Sequence, residues 1–140
     1  MTRTIAALTV AVFGLAVGCA RAADSKSEEA AAAKAEAWLA LVDHGKYGES
    51  WDEAAALFKG AVPKARWEEQ VKAVRAPLGA LVSRKLKSRQ HAESLPGAPD
   101  GKYVVIQYDT AFANKKSAVE TITPMQDTDG AWRVSGYYIK

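Results

Sequence analysis

The chain has 140 residues, 49% of them hydrophobic and 25% charged, which suits one packed domain and no more. Arg3 and Arg21 are the only charges before Ala23, so beyond that point 19 basic residues fall to 17, against 16 acidic. A near-neutral chain with one cysteine and two histidines gives no basis for nucleic-acid binding, a disulfide framework or a metal centre.

The N-terminus reads as an export signal. Met1-Thr2-Arg3 precedes an apolar run from Ile5 to Val17, the length of a signal-peptide core and too short to span a bilayer comfortably. Ala20-Arg21-Ala22 has the small-x-small pattern of a cleavage site. This divides the chain into a signal peptide over 1–22 and a single domain over 23–140, periplasmic or secreted. The second reading is lipidation. Leu15-Ala16-Val17-Gly18-Cys19 is similar to a bacterial lipobox, with Ala16 where leucine is usual, and an acylated Cys19 would tether the domain to a membrane. Without acylation nothing in the sequence calls for a membrane.

Three helices are expected next. Over Asp24–His44, Ser25 and Glu28 fit a capping box. Ala31, Ala35, Trp38 and Val42 form an apolar stripe beside Leu41, and Gly45 supplies a left-handed stop. Ser50-Trp51-Asp52-Glu53 suggests a second capping box for a helix that runs through Leu57 and Phe58 to Gly60. A third helix starts near Pro63, carries Trp67, Val71, Val74 and Leu78 as its stripe, and breaks at Pro77 and Gly79. Arg75 is expected to bond the last carbonyls of that helix.

Four strands follow. Ala80–His91 alternates Val82, Arg84 and Leu86 against Lys85, Lys87 and Arg89, and Ser94–Gly101 is a proline- and glycine-bearing loop. Tyr103–Phe112, Ser117–Pro124 and Ala131–Lys140 are rich in aromatic and β-branched residues, with turns at Ala113–Lys116 and Gln126–Gly130. A hairpin centred on Asn114-Lys115 sets Tyr108 opposite Thr121, and Thr121 opposite Val134. One face then holds Ile106, Tyr108, Thr121, Trp132, Val134 and Tyr138; the other holds Asp109, Glu120, Arg133 and Tyr137. The expected fold is α+β: three helices on a curved four-stranded antiparallel sheet.

That layout resembles the cone of the nuclear-transport-factor-2-like (NTF2-like) superfamily. The segments Ala37-Trp38-Leu39, Ser50-Trp51, Arg75-Ala76-Pro77-Leu78-Gly79, Gly101–Tyr108, Glu120–Pro124 and Trp132–Ile139 resemble the bacterial exported family called domain of unknown function 4019. The resemblance implies fold and export, and transfers no catalytic residue and no cofactor.

Two groups of side chains carry the functional expectations. Arg84, Tyr108, Thr121, Trp132 and Tyr138 share the covered face, where they either fill the core and satisfy one another or line a pocket for a small amphipathic or anionic ligand. Asp109 and Glu120, directly opposite, either form an ion-paired outer face with Arg133 and the basic first strand or supply an acid–base pair. The leading expectation is a non-catalytic binding domain. Its alternatives are an isomerase- or dehydratase-like enzyme, by analogy with the superfamily, and a dimer formed through the open sheet face.

Overall fold

A computed structural model describes the chain over residues 17–140, with side-chain environments from residue 25 onward. The described residues form four helices, α1 (Val17–Asp43), α2 (Tyr47–Asp52), α3 (Ala56–Ala61) and α4 (Lys64–Leu78). Four strands follow, β1 (Leu81–Ala92), β2 (Tyr103–Phe112), β3 (Lys115–Gln126) and β4 (Trp132–Ile139). The strands make one antiparallel sheet in the order β1-β2-β3-β4, so the α+β class holds. The signal-peptide expectation falls on 1–22, where 1–16 lie outside the described residues and the Cys19 side chain is not described. No helix among the described residues is long and apolar enough to cross a membrane.

Helix α1 buries Ala31, Ala35, Trp38, Leu39 and Val42, with Leu39 in the place expected for Leu41. It touches all four strands. Small alanines let the backbone approach closely, and Trp38 fills the space beyond them. The helix ends as expected. Gly45 takes φ 73, its N–H reaches Val42 O at 3.0 Å, and the Lys46 N–H reaches Leu41 O at 2.8 Å, which satisfies the last carbonyls. No cap forms at Ser25, because the helix begins earlier.

The expected second helix is two short ones. Ser50 lies inside α2, not at a cap: its hydroxyl donates to Tyr47 O at 2.6 Å and accepts the Trp67 indole N–H at 2.9 Å. A buried indole donor thus takes the oxygen that a cap would have used. Trp38, Phe58 and Trp67 cluster at ring separations of 4.9–6.5 Å, and Tyr137 closes the group 5.2 Å from Trp38. Edge-to-face contacts of this kind add to the burial energy.

The strand pairing differs from expectation. The first hairpin turns at Ala113-Asn114, with Phe112 opposite Lys115 and a register shift between Thr110 and Phe112. Tyr108 therefore faces Glu120, and Thr121 faces Gln107 and Tyr138. One residue of slip exchanges the faces of β3. Ala118, Glu120, Ile122 and Pro124 share the buried face of β3, while Thr121 lies on its other face, itself buried. A second shift between Thr123 and Pro124 returns Val134 and Trp132 to the inner face, so β4 presents Tyr137 inward at one end and Trp132 at the other.

Candidate functional site

Six elements each send one polar side chain to a single cluster at the end of α1. Asp43 ends α1, Arg75 lies on α4, and Arg84, Thr110, Glu120 and Tyr137 come from β1, β2, β3 and β4 in turn. Arg84 is the hub. Its Nε and Nη2 donate to the Glu120 carboxylate at 2.7 and 3.2 Å, and its Nη1 and Nη2 donate to Asp43 at 2.8 and 3.0 Å. Arg75 Nη2 donates to Asp43 Oδ1 at 2.9 Å, while its guanidinium lies 4.9 Å from the Phe112 ring centre. Glu120 is fully buried and accepts two further bonds, from the Thr110 hydroxyl at 2.6 Å and from the Tyr137 hydroxyl.

Two carboxylates and two guanidiniums cancel in formal charge, and the fork of Arg84 matches a carboxylate on either side. Burial pushes the Asp43 carboxyl up, but the hydrogen bonds and charges of Arg84 and Arg75 outweigh it and hold the group below its ordinary value. Burial likewise works against the charged form of Arg84, and the two carboxylates reverse that, raising its pKa. Burial, then the charge of Glu120, drives the Tyr137 phenol upward, so it stays a neutral donor. The shifts of Asp43, Arg84 and Tyr137 each favour the protonation state that makes these bonds. A general acid or base needs a pKa near the working pH and contact with substrate; Glu120 has no exposed surface.

The residues singled out from the sequence scatter over this architecture. Arg84 is on the covered face, as expected. Tyr108 is buried there too, its hydroxyl unpartnered, and burial followed by the charge of Glu36 raises its pKa. Thr121 and Tyr138 are on the opposite face, where Gln107 Nε2 donates to the Thr121 hydroxyl at 3.3 Å and Tyr138 is half exposed. Trp132 is buried at the far end of β4.

The Asp109–Glu120 pairing is corrected. Asp109 is opposite Val119, is largely exposed, and has Lys87 Nζ 3.9 Å away. Arg133 does not approach Glu120; it grips Asp129 at 2.7 Å and Asp127 at 3.3 Å. Val82 and Leu86, expected on the core face, are more than half exposed. Arg75 bonds Asp43 rather than the end of its own helix. Its place was legible, since Trp67, Val71 and Arg75 repeat every fourth residue down one helical stripe.

The family model described as protein of unknown function (DUF4019) matches residues 34–137. The chain belongs to that family. The matched span holds all six members of the cluster and both turns of the β2–β3–β4 meander, so in this DUF4019 chain the network and the pairing that builds it lie within the family's own segment. None of the curated proteins matches the chain.

Outside the cluster, a pair of cavities opens among the described residues of the DUF4019 domain. One, about 440 Å³, lies between α1, α2 and the start of β4, with Trp38, Leu41, Trp132 and Val134 as its apolar lining and Glu49 and Glu53 among its polar groups. Lys34, Asp52 and Arg133 also line it; Asp52 pairs with Lys64 at 2.9 Å and Arg133 with its two aspartates. Glu49, Glu53 and Lys34 make no ion pair among the described residues. The other cavity, about 470 Å³, runs between α4 and the edge strand β4 and is mostly apolar. Among the described residues no three of His, Cys, Asp or Glu converge as a group able to hold a metal ion.

Proposed function

We propose that this is an exported, non-catalytic binding domain of the cell envelope, built on the NTF2-like cone, with its helices laid over one face of a curved sheet. Its working surface is the cleft between α1, α2 and β4, and its ligand is a small amphipathic molecule with a cationic head. The observation that carries this reading is the contrast between the two polar regions. Inside, Arg84, Asp43 and Glu120 are saturated by one another. In the cleft, Glu49 and Glu53 stand unpaired beside two indoles, in a volume suited to a small molecule. An apolar body packs on Trp38 and Trp132, and the carboxylates and indole faces favour an ammonium group over an anion.

The same contrast argues against the acid–base alternative. Asp109 stands in open solvent, and Glu120 is neutralised by Arg84 and out of reach of any substrate. It also argues against an anionic ligand at Arg84, because both edges of that guanidinium are already occupied.

Thermal unfolding with hexylamine and with hexanoate tests the proposal, since a ligand that binds only the native state must raise Tm. Hexylamine is expected to stabilise the protein, and the Glu49→Gln/Glu53→Gln variant is expected to lose that response. Equal stabilisation by hexanoate would remove the charge selectivity, and no response to either would remove the cleft.

A further inference from the structure

We infer that the free edge of β4 is a self-association surface, on which two copies of this chain join β4 to β4 in antiparallel fashion across a two-fold axis through Tyr138. The hydrogen-bond parity of the strand points there. Val119 and Lys140 exchange both backbone bonds at 2.9 Å, so the alternation of an antiparallel ladder turns the N–H and C=O of Tyr138 toward β3 and those of Tyr137 and Ile139 outward. Further back, the edge is capped: the Ala55 N–H donates to Val134 O at 2.8 Å. From Tyr137 to Ile139 no backbone bond reaches the outward groups among the described residues. The pattern is self-complementary. With Tyr138 on the axis, Tyr137 of each copy pairs with Ile139 of the other, and every outward donor meets an acceptor.

The side chains agree. The groove of about 470 Å³ between α4 and this edge is walled by Val71, Val74, Tyr137 and Ile139, with Val74 49% and Tyr138 51% exposed. Ile139 of a second copy would lie against this groove, while Tyr137 of each copy keeps its side chain on its own Glu120 and contributes backbone groups alone. Charge selects the occupant. The opposite edge of the sheet, β1, carries Lys85, Lys87 and Arg89, a guard against strand addition, whereas β4 has no charged residue from Val134 to Ile139. Pairing β4 with β1 would extend into a filament; pairing β4 with itself closes.

The test is sedimentation and native mass of the protein expressed from its full sequence and purified as the host processes it. A dimer at tens of micromolar is expected, and a monomer at that concentration would overturn the inference. Tyr138→Lys sets like charges directly across the axis and should weaken the dimer by about a hundredfold or more. An undiminished dimer in that variant, folded by circular dichroism, would also overturn it. Tyr138→Cys gives an independent readout, because residues facing each other on the axis approach within disulfide range. That variant should cross-link on oxidation, while the wild type and Val82→Cys should not; a folded Tyr138→Cys chain that stays single would contradict the pairing.

Discussion

Arg84 on β1 and Glu120 on β3 meet through two hydrogen bonds of 2.7 and 3.2 Å, although β2 lies between their strands. The reach of the guanidinium across β2 is what allows a carboxylate to sit with no exposed surface in the core. Taking away one partner strands the other, so Arg84→Ala is expected to destabilise the fold by about 3–5 kcal/mol in urea denaturation. Glu120→Leu combined with Arg84→Leu should cost less than the sum of the two single changes, since the double variant leaves neither charge of this pair unmatched.

Stability should fall at both ends of the pH scale. Asp43 is held below its ordinary 3.8, so its contribution is present above that value and disappears as acid protonates the folded carboxyl. Tyr137 is raised above its ordinary 10.0, so its contribution is intact below that value and is lost as the pH climbs beyond it. Unfolding free energies measured across pH should therefore be level between these limits. Tyr137→Phe should make the alkaline limb shallower, leaving the part that buried Tyr108 supplies, and a variant limb as steep as the wild type's would show that Tyr137 does not set it.

Ser50 serves two buried tryptophans at once. Its carbonyl accepts the Trp38 indole N–H at 2.8 Å and its hydroxyl accepts that of Trp67 at 2.9 Å. Ser50→Ala keeps the first bond and deletes the second together with the hydroxyl's own bond to Tyr47 O, leaving a buried N–H without a partner, at a cost of about 1–3 kcal/mol in denaturant midpoint measurements. Ser50→Thr should retain most of the stability where the added methyl is accommodated.

Two glycines should respond in opposite directions to alanine. Gly79 closes α4 at φ +76, and a Cβ there would meet Asn114 Nδ2 at 3.0 Å and Ala113 Cβ at 3.1 Å. Gly79→Ala is expected to destabilise by about 1–2 kcal/mol. Gly60 is inside α3 with nothing within 4 Å of a built Cβ, so Gly60→Ala should stabilise by about 0.5–1 kcal/mol. Thermal scans of the two variants check both signs.

Much of the chain's plan was legible before its structure. Tyr103–Phe112 is a strand with the expected bounds, Gly45 stops α1, and Gly130 closes the last turn at φ 84. What composition did not disclose was the face of β3. Its two alternating sets, Ala118-Glu120-Ile122 and Val119-Thr121-Thr123, differ little in apolar content, so the position of the turn decides between them. A charged Glu120 weighs against the inward set until Arg84 is brought from β1, and that contact spans 36 residues of sequence. The unmatched signal was Arg84 itself. A guanidinium on a covered face requires a buried acid, and Asp43 and Glu120 answer that requirement. The cleft was invisible for another reason: Glu49, Glu53 and Trp132 come together only through the packing of α1, α2 and β4.

The most direct measurement of the central claim is heteronuclear NMR of the protein titrated with hexylamine, following the indole N–H signals of the four tryptophans. The account predicts that Trp132 and Trp38 shift together and saturably while Trp51 stays in place, and that hexanoate leaves all four unmoved. Shifts centred on Tyr138, Val74 and Trp67, or none at the cleft at any amine concentration, would contradict it.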